Sequence, residues 1–308
     1  MNTVKSSTGL RGIVPPMITP LLDMNTLDRQ GVENLVQHMM SGGVSGIFIL
    51  GTTGEAQHLS MNIRMELIRA TGEATRGKLP LLVGITDTSI YESLHLANVA
   101  AECGAAAVVA APPYYFAPGQ PELIEYYEAL ADQSPLPLYL YNMPSHTKVM
   151  IEPDTVYQLA KHPNIVGLKD SSANAVYFHK LLHLMEDSPE FALFVGPEEM
   201  MASVVLMGAH GGVSGGANLY PRIFVELYNA AAAGELSEVR RLQSKMMCVG
   251  KELYNIGRFG SGYIKGLKTA LSLKGICNDY LPQPFNSFRQ AEREKVILAV
   301  EKLDKLLS

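Results

Sequence analysis

Cysteine is scarce in this chain of 308 residues, and what there is does not pair. Cys103, Cys248 and Cys277 are odd in number, far apart and outside any C-x-x-C or Cys/His spacing. That pattern argues against a disulfide framework and a zinc site, and it fits a reducing cytoplasm. Runs of lysine or arginine are missing too. With a net charge of -5, the chain has no electrostatic footprint for nucleic acid or an anionic membrane. A small soluble molecule is the expected partner. No apolar run approaches the span of a bilayer, since the longest stretch of small apolar residues, 105–111, runs into Pro112-Pro113. Residues 1–10 are polar and rich in serine and threonine, without the apolar core of a secretory signal. The expectation is a cytoplasmic protein with no membrane segment.

What the chain has in quantity is apolar surface, 47% of its residues, arranged in a repeating pattern. Short apolar runs fall at 13–14, 46–50, 81–83, 106–110, 138–141, 165–168, 192–195 and 211–214. Between them lie amphipathic segments with helix-start signals: Asp28 before Val32-Leu35-Val36, Ser60 before Met65-Ile68, Ser89 before Leu94-Ala97, and Pro153 before Val156-Leu159. Eight strand-and-helix pairs in succession predict an α/β protein with a (β/α)8 barrel over residues 1–232. An open doubly wound sheet uses the same units but would want a G-x-G-x-x-G turn after an early strand. None occurs. The turn Gly51-Thr52-Thr53-Gly54-Glu55 fits neither that fingerprint nor a P-loop. Beyond the barrel the strand signals stop, and helical patterns at about 235–256, 261–274 and 287–307 predict a C-terminal helical subdomain, 233–308, packed on the barrel.

In such a barrel the chemistry collects at the C-terminal ends of the strands. Those positions hold Thr52 and Thr53, Tyr114 and Tyr115, Tyr141 and Asn142, Lys169, Gly196 and Glu198, and Ser214. Lys169 stands out, because it closes the apolar run 164–168 and precedes Asp170-Ser171-Ser172. A lysine after a buried strand often merely extends its stem to water. Held at an apolar mouth, however, an amine is a candidate nucleophile toward a carbonyl. Each neighbour also has an ordinary explanation, as turn, cap or packing residue. Glu198 and Glu199 have two readings, facing a second substrate or favouring a helix start through its dipole, and the second is preferred. Together the group makes an amine site. Schiff-base formation on a 2-oxo acid needs a proton carrier at each step, and Tyr141 on the neighbouring strand supplies a phenol. Thr52 and Tyr115 are candidates to relay protons to solvent. Backbone and hydroxyl groups of Thr52-Thr53 make a nest for the carboxylate. Neither a metal nor a cofactor is called for.

These residues in this order resemble the dihydrodipicolinate synthase and N-acetylneuraminate lyase family of Schiff-base-forming pyruvate aldolases. The resemblance runs from Gly12-Ile13-Val14-Pro15-Pro16 and Thr19-Pro20 to the C-terminal helices. It rests on Gly51-Thr52-Thr53-Gly54-Glu55, Pro113-Tyr114-Tyr115, Tyr141-Asn142-Met143-Pro144 and Gly167-Leu168-Lys169-Asp170. The resemblance implies that Lys169 forms the Schiff base, that Tyr141 transfers the proton, and that Thr52 and Tyr115 complete the relay, Tyr115 being offered across a tight dimer interface. It further implies that Thr53 binds the carboxylate, that the backbone of Val213 lines the pyruvate pocket, and that the assembly is a homotetramer built as a dimer of dimers. Gly196 and His146 are the expected contacts to the rest of the substrate. One departure bears on substrate choice. After Tyr-Asn-x-Pro the synthases continue with a small residue and an arginine; this chain reads Ser145-His146-Thr147, and an imidazole does not reproduce a permanently charged bidentate fork. The lyases carry serine where this chain has Thr52. Four readings stay open: an aldolase for a 2-keto-3-deoxy sugar acid or 4-hydroxy-2-oxoglutarate, 4-hydroxy-tetrahydrodipicolinate synthase proper, a sugar-acid dehydratase using the same enamine, and a non-catalytic 2-oxo acid sensor.

Overall fold

The computed structural model describes residues 9–307, so most of the polar N-terminal stretch lies outside the described residues. Eight parallel strands appear where the apolar runs predict them: β1 (Gly12–Ile13), β2 (Ile47–Ile49), β3 (Leu81–Gly84), β4 (Ala107–Ala110), β5 (Leu138–Asn142), β6 (Ile165–Asp170), β7 (Ala192–Val195) and β8 (Gly211–Gly212). From β2 onward each pairs in parallel with the next, and β8 pairs with β1 through Gly211 and Gly212. The ring closes between the β1 segment and β2, where Pro16 bridges Phe48 and Ile13, Pro15 and Phe48 carbonyls accept from Ser45, Phe48 and Met17. Strands covered on both faces need no polar alternation, which is why they read as continuous apolar runs. A two-strand hairpin, Leu21–Asp23 with Thr26–Leu27, follows β1.

The helices between strands are α1 (Arg29–Ser41), α2 (Met61–Thr75), α3 (Ile90–Glu102), α4 (Gln120–Gln133), α5 (Pro153–Leu159), α6 (Ala175–Leu184), α7 (Glu198–Leu206) and α8 (Pro221–Ala232). Their start signals are physical caps. Asp28 accepts from the Gly31 amide at 2.8 Å, Ser60 from Ile63 and Ser89 from Glu92, each at 3.4 Å, while Pro153 occupies the first turn of α5. Three helices follow the barrel: α9 (Leu236–Val249), α10 (Gly262–Leu273) and α11 (Gln290–Leu307). No described helix is long and apolar enough to cross a membrane.

Two apolar shells result. The outer one packs strands against helices, with Leu35, Leu67, Phe178 and Phe224 wholly buried; each such side chain contributes about 1.5–3 kcal/mol. The inner one fills the barrel with Val14, Phe48, Val109, Tyr139, Tyr141 and Phe194. Between β5 and β6 the register slips: Leu138 pairs with Ile165 but Tyr139 pairs with Gly167, so β6 carries one extra residue. Side chains alternate along a strand, and a one-residue insertion flips everything beyond it. Val166 points into the barrel; without the bulge Leu168 would follow it inward. With it, Leu168 joins the outer shell and Lys169 turns inward opposite Tyr141.

Candidate active site

Lys169 is 7% exposed, and its Nζ lies 4.1 Å from the centroid of the Tyr141 ring and 5.2 Å from that of Phe48. Phe48 in turn meets Tyr141 edge to face at 6.3 Å. The amine thus sits over two aromatic faces, with no carboxylate in salt-bridge contact among the described residues. The strand ends that carry the pair are tied together one residue further on. Asn142 Nδ2 donates to Asp170 Oδ1 at 2.8 Å, and Asn142 Oδ1 accepts from the Ile151 amide. Asp170 also accepts from the Ser172 amide and hydroxyl, each at 3.0 Å. Burial raises the Asp170 carboxyl above the usual range, against these hydrogen bonds and the Lys169 charge, which pull it down. Asn142 and Asp170 are positioning residues: they fix the phenol and the amine side by side.

The turn after β2 brings in the hydroxyls. Thr52 Oγ1 and the Tyr141 hydroxyl lie 3.1 Å apart, and Thr53 Oγ1 lies 3.3 Å from the Tyr263 hydroxyl. The turn is bent hard. Leu50 and Glu55, at its two ends, both adopt φ of 57°, a left-handed conformation that costs a side chain of order 1–3 kcal/mol and clusters at functional sites. Glu55 is then buried against Lys268 of α10, Oε2 to Nζ 2.5 Å, with both side chains wholly out of water.

Of the eight residues expected at the site, seven line one cavity of about 350 Å3: Lys169, Tyr141, Thr52, Thr53, Val213, Gly196 and His146. A β-carbon at Gly196 would sit 2.1 Å from Ser171 Oγ, so only glycine leaves that serine in place on the cavity wall. Val213 is anchored by its amide to the Val195 carbonyl at 2.8 Å. His146 sits on the one-turn helix Pro144–Thr147, its Nδ1 3.0 Å from Ser145 Oγ; partial burial, then the Lys148 and Lys169 charges, hold its imidazole below the usual range. Tyr115 is the exception. It stands 81% exposed on the loop after β4, edge to face with Phe116, and points to no group of the cavity.

Glu198, which the sequence places at the rim as a helix-start residue, lines the cavity together with Tyr254 and Tyr263, which sequence reasoning did not place there. Glu198 opens α7, as a helix-start residue should, but that reading is incomplete. It is 8% exposed, accepts from the Gly216 amide at 2.5 Å and the Tyr254 hydroxyl at 3.1 Å, and burial pushes its carboxyl up to about 7. Tyr254 comes from a π-helical turn, Gly250–Tyr254, at the end of α9, and packs edge to face on Tyr263 at 4.8 Å. The C-terminal helices therefore complete the wall of the site. A tyrosine inside a helical pattern gives no signal of this in the sequence.

A second cavity, of about 540 Å3, shares Thr52, Tyr141, Met143 and His146 with the first and is lined further by His58 and Phe285. The combined space exceeds a three-carbon acid.

The chain is similar to known proteins along nearly its whole length. The model of the dihydrodipicolinate synthetase family matches residues 9–303. A 4-hydroxy-tetrahydrodipicolinate synthase of Aromatoleum aromaticum is 32% identical over 95% of this chain and 98% of its own. An N-acetylneuraminate lyase of Rhizobium meliloti is 31% identical over 92% of each. Among solved structures, dihydrodipicolinate synthase of Bacteroides thetaiotaomicron superposes with a TM-score of 0.93 at 56% identity, covering 95% of this chain and 98% of that one. The chain belongs to the dihydrodipicolinate synthetase family.

Proposed function

We propose that the protein is a metal-independent lyase that makes or breaks a carbon–carbon bond of a 2-oxo acid through a Schiff base on Lys169. The single observation that carries this reading is the amine 4.1 Å over the ring of a phenol whose hydroxyl meets Thr52 at 3.1 Å, all in one cavity. The Lys169 nitrogen adds to the C2 carbonyl of pyruvate. The resulting hydroxyl takes a proton from Tyr141 and leaves as water, giving the iminium. Tyr141 then accepts a proton from C3, and the enamine attacks an aldehyde, whose oxygen takes that proton back. Hydrolysis of the iminium frees the product, and cleavage of a longer 2-oxo acid is the same path reversed. Thr52 relays protons from Tyr141. Thr53, the backbone of Thr52-Thr53 and that of Val213 hold the pyruvate end, while Gly196 and His146 face the rest of the substrate.

The substrate is pyruvate with an aldehyde, or a longer 2-oxo acid of the 2-keto-3-deoxy sugar acid or 4-hydroxy-2-oxoglutarate type; the names of the similar proteins fit reactions of this kind. The barrel, residues 1–232, is the catalytic unit, with 233–308 packed on it. The protein works in the cytoplasm as a homotetramer, in which a neighbouring subunit covers Tyr115 and Phe116 and so brings Tyr115 toward a relay; their exposures of 81% and 83% support this. The test is isotope exchange. In D2O the protein should wash protons from the methyl group of pyruvate with no acceptor present, and Lys169→Ala should stop it. Exchange that persists in Lys169→Ala would overturn the reading.

A further inference from the structure

The pyruvate end of the cavity uses one positive charge for one negative charge. Among the described residues, Lys169 is the only lysine or arginine lining either of the two joined cavities. Once the amine has become an iminium, its charge is matched by the carboxylate of the bound pyruvate. Apart from the phenols of Tyr114, Tyr141, Tyr254 and Tyr263, the other ionisable groups on the walls are carboxylates or imidazoles: Glu55, Glu198 and Glu199, His58 and His146. Three cations near the walls are committed elsewhere, and Arg258, two residues before Gly260, stands exposed on the surface rather than on either wall. Lys268 is buried against Glu55, and the Lys148 ammonium donates to the Ser145 carbonyl at 2.7 Å. Arg64 pairs with Asp87 at 3.3 Å.

A second anion entering this space would lose its water and meet no fixed positive charge, an outcome proteins avoid because an unpaired buried charge is costly. Hydroxyls meet what they need: the imidazoles of His58 and His146, the amide of Gln57, the hydroxyls of Thr86 and Tyr114, and carboxylate acceptors on Glu198 and Glu199. Both imidazoles are held below their ordinary range by burial, so at neutral pH each offers one donor and one acceptor rather than a charge. Leu50, Ala111, Met143 and Phe285 supply apolar wall between them.

We infer that the carbon chain joined to the enamine is neutral and hydroxyl-bearing, an aldehyde of the sugar type with no carboxylate or phosphate of its own. This rests on the Lys169 reading and narrows it: of the substrate types above it selects the 2-keto-3-deoxy sugar acids over those whose aldehyde half carries a second carboxylate. In the condensation the enamine carbon forms a bond to the aldehyde carbon, the aldehyde oxygen takes a proton, and water returns the lysine; no oxidant or reductant takes part.

The experiment condenses pyruvate with neutral hydroxyaldehydes of three to six carbons and with 4-oxobutanoate, a carboxylated aldehyde of similar length. Borohydride trapping of pyruvate on the same protein runs alongside. The expected result is trapping on Lys169, with kcat/KM for the best neutral aldehyde exceeding that for 4-oxobutanoate by on the order of 10². His146→Arg, which adds a guanidinium to the wall, should shift the ratio toward 4-oxobutanoate by roughly tenfold or more. Trapping intact with 4-oxobutanoate preferred, or with no neutral aldehyde consumed, overturns this inference and leaves the Schiff-base reading standing. Absence of trapping overturns both.

Discussion

Replacing Lys268 by methionine removes the only charge that, among the described residues, pairs with Glu55, deep between the Gly51–Glu55 turn and α10. Both side chains are wholly buried, and Glu55 Oε1 has no hydrogen-bond partner among the described residues. Breaking such a pair by deleting one member costs about 3–5 kcal/mol, because the surviving charge stays out of water. For 308 residues, unfolding entropy of about 2.1 cal/mol/K per residue makes that roughly 5–8 °C in the thermal midpoint. The loss should depend on pH. Burial already holds the Glu55 carboxyl above its usual range, with Lys268 opposing it, so removing Lys268 raises it further. A carboxyl whose folded value is raised contributes stability that is complete below its unfolded value, near 4.3, and is lost as pH rises through the folded value. Lys268→Met should therefore fall short of wild type by much more at pH 8 than at pH 5. Adding Glu55→Gln should recover most of the loss, since an uncharged pair of similar shape leaves no stranded charge. The assay is thermal unfolding by circular dichroism of the four proteins of the double-mutant cycle. A Lys268→Met midpoint within a degree of wild type at pH 8, or a deficit equal at both pH values, would refute the reasoning.

Three other outcomes are expected. Tyr141→Phe keeps the ring against Lys169 and Phe48 but removes the phenol, so turnover should fall by about 10²- to 10⁴-fold and pyruvate trapping on Lys169 should become slower without moving to another lysine; turnover near normal would move the proton-carrier role elsewhere. Glu198→Gln keeps an acceptor for the Gly216 amide but cannot ionise. The native carboxyl, held up to about 7, contributes stability below its unfolded value that is lost as pH rises through about 7. The midpoint of Glu198→Gln should therefore gain on wild type between pH 5 and pH 8, and parallel pH slopes would count against the burial argument. Gly167→Ala would put a β-carbon 2.5 Å from both the Ala192 carbonyl oxygen and Tyr139 Cε1, two residues before Lys169. Overpacking there should cost about 1–3 kcal/mol in chemical denaturation, and an unchanged denaturation curve would mean that β6 has more room than its geometry shows.

The barrel was legible because strands buried on both faces leave apolar runs, and because Asp28, Ser60 and Ser89 announce helices by short-range bonds to amides three residues on. Lys169 was legible for a related reason: a cation ending an apolar run is conspicuous. Contacts between distant parts of the chain were not. Nothing local to Glu198 names Gly216 or Tyr254 as its partners, and Glu55 in its turn gives no hint of Lys268. The inserted residue in β6 also escaped notice, since a bulge is a relation between two strands. Yet without it the lysine that drew attention would face the helices. Tyr115 marks a different limit: the resemblance puts it at the site, the structure leaves it exposed, and the role proposed for it depends on a neighbouring subunit.

The account stands most directly on the amine of Lys169. Mass spectrometry of peptides from protein reduced with borohydride in saturating pyruvate should find one added reduced pyruvyl group, on Lys169 alone, and none in Lys169→Ala. An unmodified Lys169 peptide under those conditions, or the same adduct on another lysine, would contradict it.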